Sequence, residues 1–323
     1  MQRCLEDDDE QRTYPFARFV VGRFGHVGDA ARLEDDAVQP RVQHVVTFVD
    51  VDAARRVTAR VQRRLIDARE QAPGLRLPYV LAPLQGRSRL LLLARLRALG
   101  VHGAGAYLPE LAADGIHRHI DDAAAEYCEL LPSNGPGGIN PSAGAFLYAL
   151  VRDLRPNTIV ETGTASGIST TYLLAALARN GGGRLVSIDL PFVQVGGDEL
   201  LRPVVPGSSI SPGDSSPLPP SKEPGWAIPV ALRDRWEVRL GDSRELLPAL
   251  MNELGEIDIF FHDSLHTREH MLFEFQTAWP NLRRGGILAA DDVFHRMHDA
   301  LPVFARSVRR RFVVFTSIGF VKK

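Results

Sequence analysis

The sequence predicts a doubly wound α/β fold over roughly its last three-fifths, built on a seven-stranded sheet that is mostly parallel and carries an antiparallel strand at its C-terminal end. Three observations lead there. Helical and strand patterns alternate from Ser142 onward; the first strand runs directly into a glycine turn and a helix start; and the last two strands stand too close together for a helical crossover, so they pair antiparallel.

Each element has its own signal. A helix through Phe146, Leu147, Leu150, Val151 and Leu154 is stopped by Pro156, and Thr158 to Glu161 then reads as a short buried strand. A second helix opens near Ser169, gathers Tyr172, Leu173, Ala176 and Leu177 on one face, and ends at the glycine run 181–183. Further strands are expected at 184–189, 236–240, 257–262, 286–290, 312–315 and 318–321. Between the second and third strands lies an insert, 203–229, with eight Pro, three Gly and six Ser in 27 residues, a composition no regular element tolerates. A loop of that length beside the strand tips is expected to act as a lid, the alternative being an inert insert.

Residues 1–125 carry weaker signals, with helical spacing at Asp52 to Ala68 and Leu90 to Leu99 and no motif tied to chemistry. They are expected to form an accessory or partly disordered region, with the α/β domain spanning 126–323.

Composition narrows the partners. The net charge is −1, with 45% apolar and 24% charged residues, so no global field favours nucleic acid or a membrane surface, and the Arg309 to Arg311 triplet reads as a solvated helix end. Cys4 and Cys128 make neither a disulfide framework nor a zinc site. The acidic run Glu6 to Glu10 is unlike a secretory leader, and no apolar run approaches the roughly 20 residues a bilayer span needs. A cytoplasmic protein acting on a small molecule is expected, and a homo-oligomer is compatible with these signals.

The strongest motif is I-V-E-T-G-T-A-S-G-I-S-T, residues 159–170. Gly163 and Gly167 permit a sharp turn and close approach to a ligand; the amides opening the next helix suit a carboxylate, and Glu161 at the strand end suits an ammonium. A ligand with an amino-acid moiety presents both charges. Asp189 closes the second strand, where an acidic side chain can accept ribose hydroxyls, with Leu190 beside it to pack on a base. Gly241-Asp242-Ser243 follows the third strand, where Asp242 fits a helix N-cap. At the fourth and fifth strand tips, Ile257 to Thr267 delivers Asp263 and His266, while A-A-D-D-V delivers Asp291 and Asp292. Three such carboxylates repel unless a cation or shared protons intervene, and an oxygen-rich set suits Mg²⁺, Ca²⁺ or Mn²⁺.

Two rival motifs fail. T-G-T-A-S-G-I is like the glycine turn of short-chain dehydrogenases, but no Tyr is followed four residues on by Lys, and no Gly-Lys-Ser/Thr P-loop exists.

The ordered set Glu161-x-Gly163-x-x-x-Gly167-x-Ser169-Thr170, with Asp189, Asp242, F-F-H-D-S-L-H-T and G-G-I-L-A-A-D-D-V, resembles the class I S-adenosylmethionine-dependent methyltransferases, and within them bacterial small-molecule O-methyltransferases. The resemblance implies a Rossmann-like sheet and S-adenosyl-L-methionine held by Glu161, Gly163, Thr164, Gly167, Ser169, Asp189, Leu190, Asp242 and Ser243. It also implies a divalent metal on Asp263, Asp291 and Asp292, although Asp292 stands where the metal-dependent members have Asn. The implied reaction is methyl transfer to a hydroxyl of a secondary metabolite or sugar, with Asp263 and His266 catalytic and His262 and His270 as competing bases. Two other readings share these motifs: a regulatory module or pseudoenzyme that binds the cofactor without methylating, and a relative of the cephalosporin-hydroxylase-like group.

Overall fold

The computed structural model describes residues 86–131, 138–194, 201–206, 217–293 and 299–323. The expected helix at Asp52 to Ala68 and the centre of the expected lid, 207–216, lie outside the described residues.

Three helices lead in: α1 (Gly86–Ala98), α2 (Ala104–Ala113) and α3 (Ile116–Leu130). Then follow α4 (Pro141–Leu154), β1 (Thr158–Thr162), α5 (Ile168–Asn180), β2 (Arg184–Asp189) and a small hairpin, β3 (Phe192–Gln194) with β4 (Leu201–Pro203). The chain continues through β5 (Trp236–Leu240), α6 (Ser243–Leu254), β6 (Ile257–His262), α7 (Arg268–Ala278), β7 (Leu282–Ala290), α8 (Ala300–Ser307), β8 (Phe312–Phe315) and β9 (Ile318–Lys322).

The sheet order is β5-β2-β1-β6-β7-β9-β8, with β9 antiparallel to both its neighbours and the remaining pairs parallel. This is the mostly parallel, doubly wound sheet with an antiparallel strand near its C-terminal end that the sequence predicts. The direction of winding reverses at β1, which opens a crevice at the carboxyl ends of β1 and β6.

Alternation along the buried strands divides the core. Ile159, Leu185, Ile259, Phe261 and Ile287 face one layer with α4 and α5. Val160, Val186, Phe260, Leu288 and Val321 face the other with α6, α7 and α8. Helix α4 starts where Asn140 accepts the Ala143 amide (3.0 Å) with Pro141 in the first turn, and it ends at Arg155 in a left-handed conformation before Pro156. No helix among the described residues is long and apolar enough to cross a membrane.

The expected boundary between residues 125 and 126 falls inside α3. Leu92 and Leu96 of α1, Leu108 and Leu111 of α2 and Ile120 of α3 are buried in the same cluster as α4, α5 and the sheet. The described part of the N-terminal region therefore shares the core of the α/β domain. Helix α4 is also joined to α2 through polar groups: Arg152 meets Glu110 twice, at 2.6 and 2.9 Å, and the Tyr148 hydroxyl donates to the same carboxylate.

Candidate cofactor cleft and active site

The turn after β1 is fixed by the tips around it. Gly163 donates its amide to the Ile188 carbonyl (2.8 Å), and Thr164 donates to Asp189 Oδ1 (3.0 Å). Gly163 sits at φ +85, and a Cβ there would lie 2.0 Å from the Asp263 carbonyl oxygen, so only glycine lets β1 and β6 close at their tips. Gly167, at φ +91, opens α5 and lies against Ile228 and Gly225. The buried Thr164 hydroxyl has no hydrogen-bond partner among the described residues, so this turn holds a polar atom ready for a ligand.

Glu161 departs from expectation. Its carboxylate is fully buried and accepts from Ser169 (2.9 Å), Thr170 (2.9 Å) and Ser187 (2.7 Å), which turns it into the sheet rather than toward an ammonium. Burial pushes its pKa up to about 7 against the opposing pull of those hydroxyls. Ser169 bonds Glu161 at the start of α5, and its hydroxyl also reaches Asp263.

Asp189 is 8% exposed at the end of β2, next to Leu190 and bonded to the turn. Its carbonyl accepts the Gly241 amide (2.8 Å), which brings the tips of β2 and β5 together. Asp242 caps α6 by accepting the Arg244 amide (2.8 Å). Ser243, expected at the cofactor, points inward instead: its hydroxyl donates to Glu274 (2.5 Å).

Asp263 and Asp291 follow β6 and β7 directly, their amides bonded to the carbonyls of Thr162 (2.8 Å) and His262 (2.9 Å). Burial first, then the charges of Asp291, Asp292 and Glu161, hold the Asp263 carboxyl well above its ordinary range. Burial and the neighbouring Asp292 push Asp291 to about 7. Burial and mutual charge thus both oppose ionisation at these strand tips.

The donor set does not fit a metal cage. No group of three His, Cys, Asp or Glu among the described residues is arranged to hold a metal ion. Asp291 turns to accept from Ser317 in the β8–β9 connection (2.6 Å), and Asp292 has a left-handed backbone, φ 49, at the bend after β7. The expected Asp263, Asp291 and Asp292 ligand set is therefore not assembled.

Among the histidines, burial separates the candidates. His262 is completely buried and His270 is 5% exposed. The His266 side chain is 20% exposed, with Nε2 3.8 Å from Asp263 Oδ1. Of the three, His266 is the most exposed, and it stands beside Asp263.

The described end of the proline-rich insert is a fixed wall rather than a free lid. Gly225 and Ala227 donate to the carbonyls of Ala165 and Ser166 (2.8 and 2.9 Å), and Leu218 donates to Phe192 (2.8 Å). Helix α3 holds it from outside through Tyr127 to the Pro217 carbonyl and His119 to the Ala227 carbonyl, both 2.7 Å.

Sequence reasoning missed Glu274. It is fully buried on α7 and accepts from Thr162 (2.6 Å), Ser243 (2.5 Å), Ser264 (3.0 Å), His262 Nδ1 (2.6 Å) and His270 Nε2 (2.9 Å). The available signal was a glutamate on the helix stripe made by Met271, Phe275 and Ala278.

Residues 160–293 match the family model described as a methyltransferase domain. No curated protein matches the chain. Among solved structures, the methyltransferase domain is similar to the SAH-bound methyltransferase PaMTH1 of Podospora anserina, at 16% identity over 64% of this chain and 87% of that one, TM-score 0.41. It is similar too to the O-methyltransferase of Bacillus cereus in complex with SAH, at 20% identity over 64% and 90%, TM-score 0.42. A third is the O-methyltransferase TomG of Streptomyces achromogenes, involved in tomaymycin synthesis, at 17% identity over 63% and 87%, TM-score 0.42.

Proposed function

We propose that the chain transfers a methyl group from S-adenosyl-L-methionine to a hydroxyl of a small molecule. The observation that carries this reading is the meeting, at the crevice of a methyltransferase-family sheet, of a Gly163-Thr164 turn bonded to Asp189 with an Asp263–His266 pair. When bound, the cofactor would supply an electrophilic methyl on a sulfonium. Asp189 would accept the ribose hydroxyls, the Thr164 hydroxyl and the first amides of α5 would meet the amino-acid end, and Asp242 would stand on the adenine side. Asp263 and Asp291, whose ionisation burial opposes, would be relieved by a cationic ligand. His266 would take the proton of the attacking hydroxyl, with Asp263 holding the imidazole and stabilising its charged form. No step runs through a metal.

Calorimetric titration with S-adenosylmethionine tests the binding half. Wild type binds, and Asp189→Ala loses about 2–4 kcal/mol of affinity by removing charge-assisted hydrogen bonds. Transfer of label from methyl-labelled cofactor to a panel of hydroxylated metabolites tests the rest. Absence of binding by wild type, or unchanged affinity in Asp189→Ala, would overturn the assignment.

A further inference from the structure

The donors gathered on Glu274 share a pattern. Thr162 immediately precedes Gly163; Ser243 immediately follows Asp242; His262 and Ser264 bracket Asp263. The turns after β1, β5 and β6 are thus each held, one residue away, by a single carboxylate on α7. His262 extends the connection, since its ring meets that of His266 edge-on, with centroids 5.3 Å apart and planes at 80°.

Burying a carboxylate is unfavourable unless donors compensate it, and an apolar residue would pack on the stripe of Met271, Phe275 and Ala278 without that demand. The chain contains its own comparison. Glu161, also fully buried, has three hydroxyl donors and its pKa is pushed up to about 7. At Glu274 burial acts in the same direction, yet the His262 and His270 imidazoles hold the carboxyl well below its ordinary range. The site therefore maintains a charged acceptor where several tips converge, and the acceptor fixes which ring nitrogens carry protons: Nδ1 of His262 and Nε2 of His270.

We propose that Glu274 is a positioning residue for methyl transfer, fixing the loop after β6 so that Asp263 and His266 face the crevice. This rests on the methyltransferase reading. The Ser264 bond ties the loop directly, the His262 ring sets the place of His266, and the Thr162 and Ser243 bonds hold the flanking turns in register with it.

The test uses the full chain labelled with ¹⁵N-histidine, as wild type, Glu274→Gln and Ser264→Ala, each free and with S-adenosyl-L-[methyl-¹³C]methionine. In wild type the ring spectra show a proton on Nδ1 of His262 and on Nε2 of His270. Glu274→Gln alters those states, and both variants shift the His266 ring resonances and the bound methyl resonance while their folded spectra persist. If Glu274→Gln fails to fold, Ser264→Ala carries the test, since it removes one anchor and leaves the buried charge with its imidazoles. Variants that lower thermal stability but leave His266 and the bound methyl unmoved show a merely structural carboxylate and overturn the proposal. Failure of wild type to bind the cofactor overturns the methyltransferase reading instead, and the His266 spectrum of the free chain still decides whether Glu274 positions it.

Discussion

Replacing Asp291 by Asn isolates the electrostatic strain at the strand tips. Asp291 is 5% exposed, and burial together with Asp292 displaces its ionisation from 3.8 to about 7. That displacement corresponds to about 4 kcal/mol opposing the charged form in the folded chain. The folded pKa lies above the unfolded one, so between about pH 4 and 7 the folded chain holds a proton the unfolded chain has released, and stability falls as pH rises. Above about pH 7 both states are ionised and the full deficit persists. Asn does not titrate and still accepts from Ser317, and its neutrality also eases ionisation of Asp263, which faces the same charge. Asp291→Asn should therefore match wild type near pH 4 and exceed it by a few kcal/mol, about 4 at most, near pH 8. Urea unfolding midpoints across that range read the difference directly. A variant whose advantage does not change with pH, or that is less stable than wild type at pH 8, would refute the reasoning.

Gly163→Ala should prevent folding or lower the melting temperature sharply, because a left-handed non-glycine residue costs about 1–2 kcal/mol before the Cβ meets the Asp263 carbonyl oxygen; recovery of soluble chain with a wild-type melting temperature would contradict it. Exhaustive chelation should leave S-adenosylmethionine affinity and methyl transfer unchanged, since Asp263, Asp291 and Asp292 form no ligand cage; activity lost to chelator and restored by Mg²⁺ would reverse that reading.

Much of the sheet was legible because its strands are buried on both faces and therefore read as dense apolar runs between helical stretches, as Ile257 to Phe261 does. The start of β7 was not, because Arg283, Arg284 and the two glycines after them look like a turn, although pairing already begins at Leu282. Helix α8 was marked only near its end, by the Arg309 to Arg311 triplet, even though Leu301, Phe304 and Ala305 follow helical spacing. In the site, the positions of Gly163, Asp189, Asp263 and His266 followed from motif order. The directions of their neighbours' side chains did not. Glu161 and Ser243 turn inward because hydroxyls and a carboxylate on other elements offer them partners, and such partnerships across 26 residues (Glu161 to Ser187) or 31 (Ser243 to Glu274) leave no periodic trace in sequence.

Helix α3 gives the wall beside the glycine turn its outer support, with His119 and Tyr127 on the segment that in turn holds Ala165 and Ser166. The stretch that carries family likeness, 160–293, is thus smaller than the stretch that must fold together to shape the turn. What is inherited as a recognisable unit and what behaves as a cooperative unit differ by at least the helices from residue 86. A domain cut at the edge of the likeness would keep its signature residues and lose the buttress that holds them in place.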